Sequence, residues 1–155
     1  MKRLLLLAVC AASLPAAADQ TQEKINFVKS IYKVSPKFKG STYLSTDIGP
    51  VRFSKEIQRL EKRRDKINSQ PGSLGLECEA FPDIIPGNAG IESDFFKHPV
   101  KVTALRNGRI RANFVNVGRK EQVDFLISCH NKICQIEDTY YMGYSYKQAL
   151  KSCRF

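Results

Sequence analysis

The chain of 155 residues has no tryptophan, two histidines and two methionines, and its 15 acidic residues are outnumbered by 25 lysines and arginines. No C-x-x-C pair is present, which argues against reading the cysteines as a zinc site. No catalytic motif stands out, so the residues alone name no reaction. The longest apolar run, from Leu4 to Leu14, is too short and too poorly flanked to span a bilayer as a permanent anchor.

That run has another reading. Lys2 and Arg3 precede it, and Ala16-Ala17-Ala18 closes it before Asp19-Gln20. A charged start, a short apolar stretch and small residues at the cut predict a secretory signal peptide over residues 1–18, cleaved after Ala18. Cys10 follows Val9, where a lipid-attachment site would have a small residue, so Cys10 is expected to leave with the signal. Export to a periplasm or beyond permits disulfides. Residues 19–155 then form one domain-sized chain of 137 residues. Loss of Lys2 and Arg3 lowers the net charge from +10 to +8. Cys78, Cys129, Cys134 and Cys153 remain, and an even count predicts two disulfides, with three connectivities open.

Two helices are expected first. Ile25, Val28 and Tyr32 repeat at helical spacing within residues 21–34, with Asp19 or Thr21 as cap and Pro36 and Gly40 as stops. Phe53, Ile57, Leu60 and Ile67 mark a second helix over residues 54–68, with Ser54 as its cap. Residues 70–99 are rich in proline and glycine yet carry Phe81, Ile84, Ile85, Phe95 and Phe96, so they predict a long loop that packs over something. Phe81 or Ile84 is expected to cover the sheet near Tyr140 and Asp138, as a plug or as a partner-facing surface.

From Val100 the pattern turns to strands. Asn107-Gly108 predicts a two-residue hairpin turn, because both residues tolerate positive φ. That register sets Leu105 opposite Ile110 but Lys101 opposite Phe114, and a bulge is needed to reconcile the faces. A second hairpin turns at Asn131-Lys132, with His130 opposite Ile133, Cys129 opposite Cys134, Ile127 opposite Ile136, Phe125 opposite Asp138 and Val123 opposite Tyr140. The Cys129–Cys134 pair then falls at a non-hydrogen-bonded site, where side chains come close. A bridge there leaves Cys78 to join Cys153. The loop-entropy account assigns about 2 kcal/mol to the short bridge and about 4–5 kcal/mol to the long one.

Two helices, a loop, four antiparallel strands and a short final helix make an α+β chain. With Phe81-Pro82-Asp83, the run from Gln135 to Tyr141 and the tail from Tyr144 to Leu150, it resembles the cystatin-like, nuclear-transport-factor-2-like superfamily. More narrowly, it is similar to a family of exported bacterial proteins of unknown function with that fold. The resemblance implies N-terminal helices packed against a curved four-stranded antiparallel sheet, a cone with a pocket at its open end. Enzymes of the superfamily usually place Asp and His in that pocket.

Asp138 is the one weak catalytic candidate, since a carboxylate among Phe125, Ile136 and Tyr140 is disfavoured in its charged form. No second acid or base can be placed beside it. His98 precedes Pro99 and His130 flanks a turn, so both are expected in solvent. Lys55, Arg59, Lys62 and Lys66 form a stripe along the second helix, with Arg63 and Arg64 adjacent. Nucleic acid would call for exposed aromatics among those cations, and export removes the cytosolic supply. The expected partner is therefore an acidic protein or an anionic envelope component. The reading is a binding protein without catalysis, cofactor or metal; one form of it is an immunity or inhibitor protein neutralising an acidic toxin or enzyme. The alternative is a small periplasmic enzyme: a hydrolase or isomerase using Asp138, or a basic nuclease using His98 or His130.

Overall fold

A computed structural model describes residues 14–33, 51–72, 77–85 and 95–153. It has α1 (Leu14–Ile31), α2 (Lys55–Asn68), a 3-10 turn (Phe95–Lys97), β1 (Lys101–Ala104), β2 (Ile110–Asn116), β3 (Arg119–His130), β4 (Ile133–Tyr141), β5 (Tyr144–Ser145) and α3 (Tyr146–Ser152). The five strands form one open antiparallel meander in chain order. Four strands were expected; the two residues of β5 add a fifth. α1 begins upstream of its expected start and ends at Ile31, so Asp19 and Thr21 lie inside the helix and do not cap it.

Turn chemistry builds the meander. Val117-Gly118, Asn131-Lys132 and Met142-Gly143 each place two successive residues at positive φ, which matches the right-handed twist of the strands they join. The first hairpin differs from its expected form. Leu105 N–H bonds Arg109 O at 2.8 Å and Gly108 N–H bonds Leu105 O at 3.0 Å, so the loop is Arg106-Asn107-Gly108. Gly108 alone takes the left-handed conformation there, at φ 80°. The extra residue sets Ala104 opposite Ile110 and Lys101 opposite Asn113, and the mismatch of faces disappears. β3 starts at Arg119, directly after Val117-Gly118.

The β3–β4 hairpin keeps its expected pairing from His130↔Ile133 to Ile127↔Ile136. A bulge between Leu126 and Ile127 then shifts the register by one. Phe125 faces Thr139 and Val123 faces Tyr141, in place of Asp138 and Tyr140. The reason is physical. Regular alternation would press the Asp138 carboxylate against Phe125 in the apolar face. With Glu137 as the extra residue, Asp138 turns to the opposite face. Thr139 takes the inner position and its hydroxyl donates to Pro82 O at 2.7 Å.

α1 lies across the inner face of the sheet. Val28, Ile31 and Tyr32 meet Phe95, Phe114 and Phe125 there, with the Tyr32 ring 5.2 Å from Phe114 and 6.1 Å from Phe125. The Tyr32 hydroxyl donates to Ile84 O at 2.8 Å and so fastens the central loop. Ile84 and Ile85 are buried under that loop, whereas Phe81 is 45% exposed. Of the two expected plugs, Ile84 sits in the core and Phe81 does not.

α2 and α3 enclose a second cluster beside β4, built on Ile57, Leu60, Ile67, Tyr146 and Leu150. Cys78 is bonded to Cys153 within it, and Cys129 to Cys134 across the hairpin. The Asn68 amide holds Cys78 by both backbone groups, donating to its C=O at 3.1 Å and accepting its N–H at 3.0 Å. Arg52-Phe53-Ser54 extends the sheet by a short parallel contact with Ile136. Ser54 stands at the N-cap of α2 without a side-chain capping bond, while Ser145 does cap α3, accepting Gln148 N–H at 3.0 Å.

Candidate functional site

The helical period of α2 sorts its charges. Ile57, Leu60, Arg64 and Ile67 face inward, and Lys55, Arg59, Lys62 and Lys66 are exposed on the opposite side. At a rise of about 1.5 Å per residue the four cations span about 16 Å. The acids of the same helix are engaged elsewhere. Glu56 is held by Lys151 at 2.8 Å and Lys147 at 3.2 Å, which lowers its pKa. Glu61 accepts the Tyr146 hydroxyl at 2.8 Å, and Asp65 pairs with Arg64 at 2.8 Å. Among the described residues no carboxylate pairs with Lys55, Arg59, Lys62 or Lys66.

Arg64 departs from its expected surface role. It is only 8% exposed and donates to Ala80 O at 3.0 Å and to the Tyr146 hydroxyl at 3.1 Å, tying the central loop to α3. Burial, followed by the Glu61 carboxylate, pushes the Tyr146 hydroxyl far above its ordinary value.

Asp138 is 2% exposed on the outer face, away from Phe125 and Ile136. Its oxygens accept Thr139 N–H at 2.9 Å, Lys147 N–H at 2.8 Å and the Ser145 hydroxyl at 2.6 Å. Arg111, Asp124, Tyr140 and Ser145 form one row across four strands on that face. Arg111 meets Asp124 with two bonds, at 2.7 and 2.9 Å, and the Arg109 guanidinium lies 3.4 Å from the Tyr140 ring centroid. Burial and then Asp138 raise the Tyr140 pKa. His98, between the 3-10 turn and β1, and His130, at the end of β3, are both exposed.

Two further places were not read from the sequence. Where the loop meets the sheet, Tyr141 donates to Glu121 at 3.0 Å and Asp83 sits at φ 41° with its pKa raised by burial. At the other end an open groove of about 370 Å³ separates α1 from the β3–β4 tip, with Glu23, Asn26 and Phe27 on one wall and Lys132, Ile133 and Cys134 on the other. Neither has a local sequence signature, because each is made by residues far apart in the chain.

Among the described residues no helix is long and apolar enough to cross a membrane. Compared with family models, with curated proteins and with solved structures, the chain matches none.

Proposed function

We propose that this chain is an exported binding protein, processed after Ala18 and working without catalysis, which recognises an acidic protein partner through α2. The observation that carries the reading is the exposed row Lys55, Arg59, Lys62 and Lys66, whose helix has its own acids occupied by Lys147, Lys151, Tyr146 and Arg64. A row of cations on a helix braced by α3 and the Cys78–Cys153 bridge is a rigid, one-signed surface suited to a carboxylate-rich partner. An immunity or inhibitor protein that neutralises an acidic toxin or enzyme is its most concrete form, on the cystatin-like cone that the order of elements resembles. The bonds at Asp138 support binding over turnover, since three donors, one each from β4, β5 and α3, already occupy that carboxylate. The test is capture of a stoichiometric partner by the mature protein, followed by titration at increasing salt. A partner of low isoelectric point whose affinity falls with salt supports the reading, whereas turnover of a small-molecule panel abolished by Asp138→Asn overturns it.

A further inference from the structure

Glu23 stands on α1, Cys129 on β3 and Cys134 on β4, yet a Glu23 carboxylate oxygen and the two sulfurs all lie within 4.8 Å of one another. Two of the three atoms are bonded to each other, and that bond keeps a cation out. If it opens, the same three atoms become a ligand set: two thiolates and a carboxylate.

This bridge is the one that can open without loss of its surroundings. Cys134 is buried but lines the groove beside α1, and Cys129 is only half-buried, whereas Cys78 and Cys153 are both buried between α2 and α3. The ring closed by Cys129–Cys134 is also closed by the strand pairs on either side of it, Ser128↔Gln135 and His130↔Ile133. Reduction therefore leaves the two thiols side by side. Opening Cys78–Cys153, whose ends are 75 positions apart in sequence, would release the loop from the C-terminus.

We infer that reduction of Cys129–Cys134 creates a site for one borderline-soft divalent cation, zinc being the type. Cys129 Sγ, Cys134 Sγ and Glu23 are its protein ligands, and a groove water takes the fourth position. The reductant is a dithiol. It gives two electrons and two protons to the cysteines and leaves as its own disulfide. Zinc then forms two Zn–S bonds, and the two thiol protons pass to solvent. A tetrahedral zinc, with bonds of about 2.0–2.3 Å, needs ligand atoms about 3.3–3.8 Å apart. Once reduced, the two sulfurs part by rotation about their Cα–Cβ bonds, and the Glu23 side chain has the rotamer freedom to close on them. Two thiolates favour zinc over magnesium or calcium. Three anionic ligands around a dication leave one negative charge, which Arg52 and Lys132 on the groove wall offset.

The experiment uses the full mature chain treated with a water-soluble phosphine, with alkylation and mass mapping to identify the opened bond. Cobalt(II) is then added as a spectroscopic stand-in, followed by zinc against a chromophoric competitor. The expected result is opening of Cys129–Cys134 before Cys78–Cys153, then one cobalt per chain with sulfur-to-cobalt charge transfer and tetrahedral visible bands, displaced by zinc. The oxidised protein should show neither band. Glu23→Gln should keep both thiols and the fold yet weaken zinc at least tenfold, and zinc should raise the melting temperature of the reduced wild type only. Earlier opening of Cys78–Cys153, unfolding on selective reduction, or equal zinc affinity in Glu23→Gln would each overturn the inference.

Discussion

The Asp138 carboxylate accepts the Lys147 backbone N–H at 2.8 Å, so a β4 side chain holds the first turn of α3. The same carboxylate takes the Ser145 hydroxyl, which in turn caps α3 through Gln148 N–H. Asp138→Ala strands three donors and is expected to cost about 3–5 kcal/mol in urea unfolding. Asp138→Asn keeps an acceptor for the backbone and should cost about 1–2 kcal/mol. Unchanged stability on both substitutions would contradict this bonding of Asp138.

The two disulfides should differ in weight. Replacing Cys78 and Cys153 by alanine is expected to cost about 4–5 kcal/mol, from the long loop it frees. The corresponding change at Cys129 and Cys134 should cost about 2 kcal/mol or less, because the hairpin ladder already closes that ring. Denaturant unfolding of the two double variants compares them directly, and the reverse order would contradict the packing of Cys78 and Cys153 between α2 and α3.

Lys132 sits at φ 63° beside Asn131 at φ 49°, a turn with no glycine. Lys132→Gly removes the left-handed cost of a side-chain-bearing residue and should raise stability by about 0.5–1 kcal/mol, net of glycine's extra chain entropy. A higher melting temperature checks it.

The central loop separates its two apolar candidates. Ile84→Ala empties a core site under Tyr32 and is expected to cost about 2–4 kcal/mol. Phe81→Ala, at a half-exposed position, should cost under about 1 kcal/mol. If Phe81→Ala also weakens partner capture, Phe81 belongs to the recognition surface; a large loss of stability would instead place it in the core.

Changing Lys55, Arg59, Lys62 and Lys66 together to glutamine should preserve α2, since glutamine and lysine have similar helix propensity. If these cations meet an acidic partner at the rim of an interface, each is worth about 0.2–1 kcal/mol, so the set should weaken binding about fourfold to several hundredfold. The salt dependence of affinity should flatten in parallel. Unchanged affinity and slope would leave the row a solvated face.

Local rules in the sequence determined the helical period of α2, the alternation of β2, and the Asn131-Lys132 turn that sets Cys129 opposite Cys134. Each depends on residues a few positions apart, and such patterns survive in one dimension. Tertiary contacts decided the rest. Alternation alone put Asp138 inside the sheet; the bulge at Glu137 arises because a buried carboxylate needs donors, and those come from Ser145 and Lys147 beyond the next turn. Arg64 reads as one more cation of a basic helix until Ala80 O and the Tyr146 hydroxyl, 16 and 82 residues away, accept its protons. Glu23 meets the hairpin cysteines only because α1 crosses the sheet at that point. A periodic sequence records which face of an element is apolar; it holds no record of which distant polar group will satisfy a buried charge, and that pairing exists only once the chain has folded.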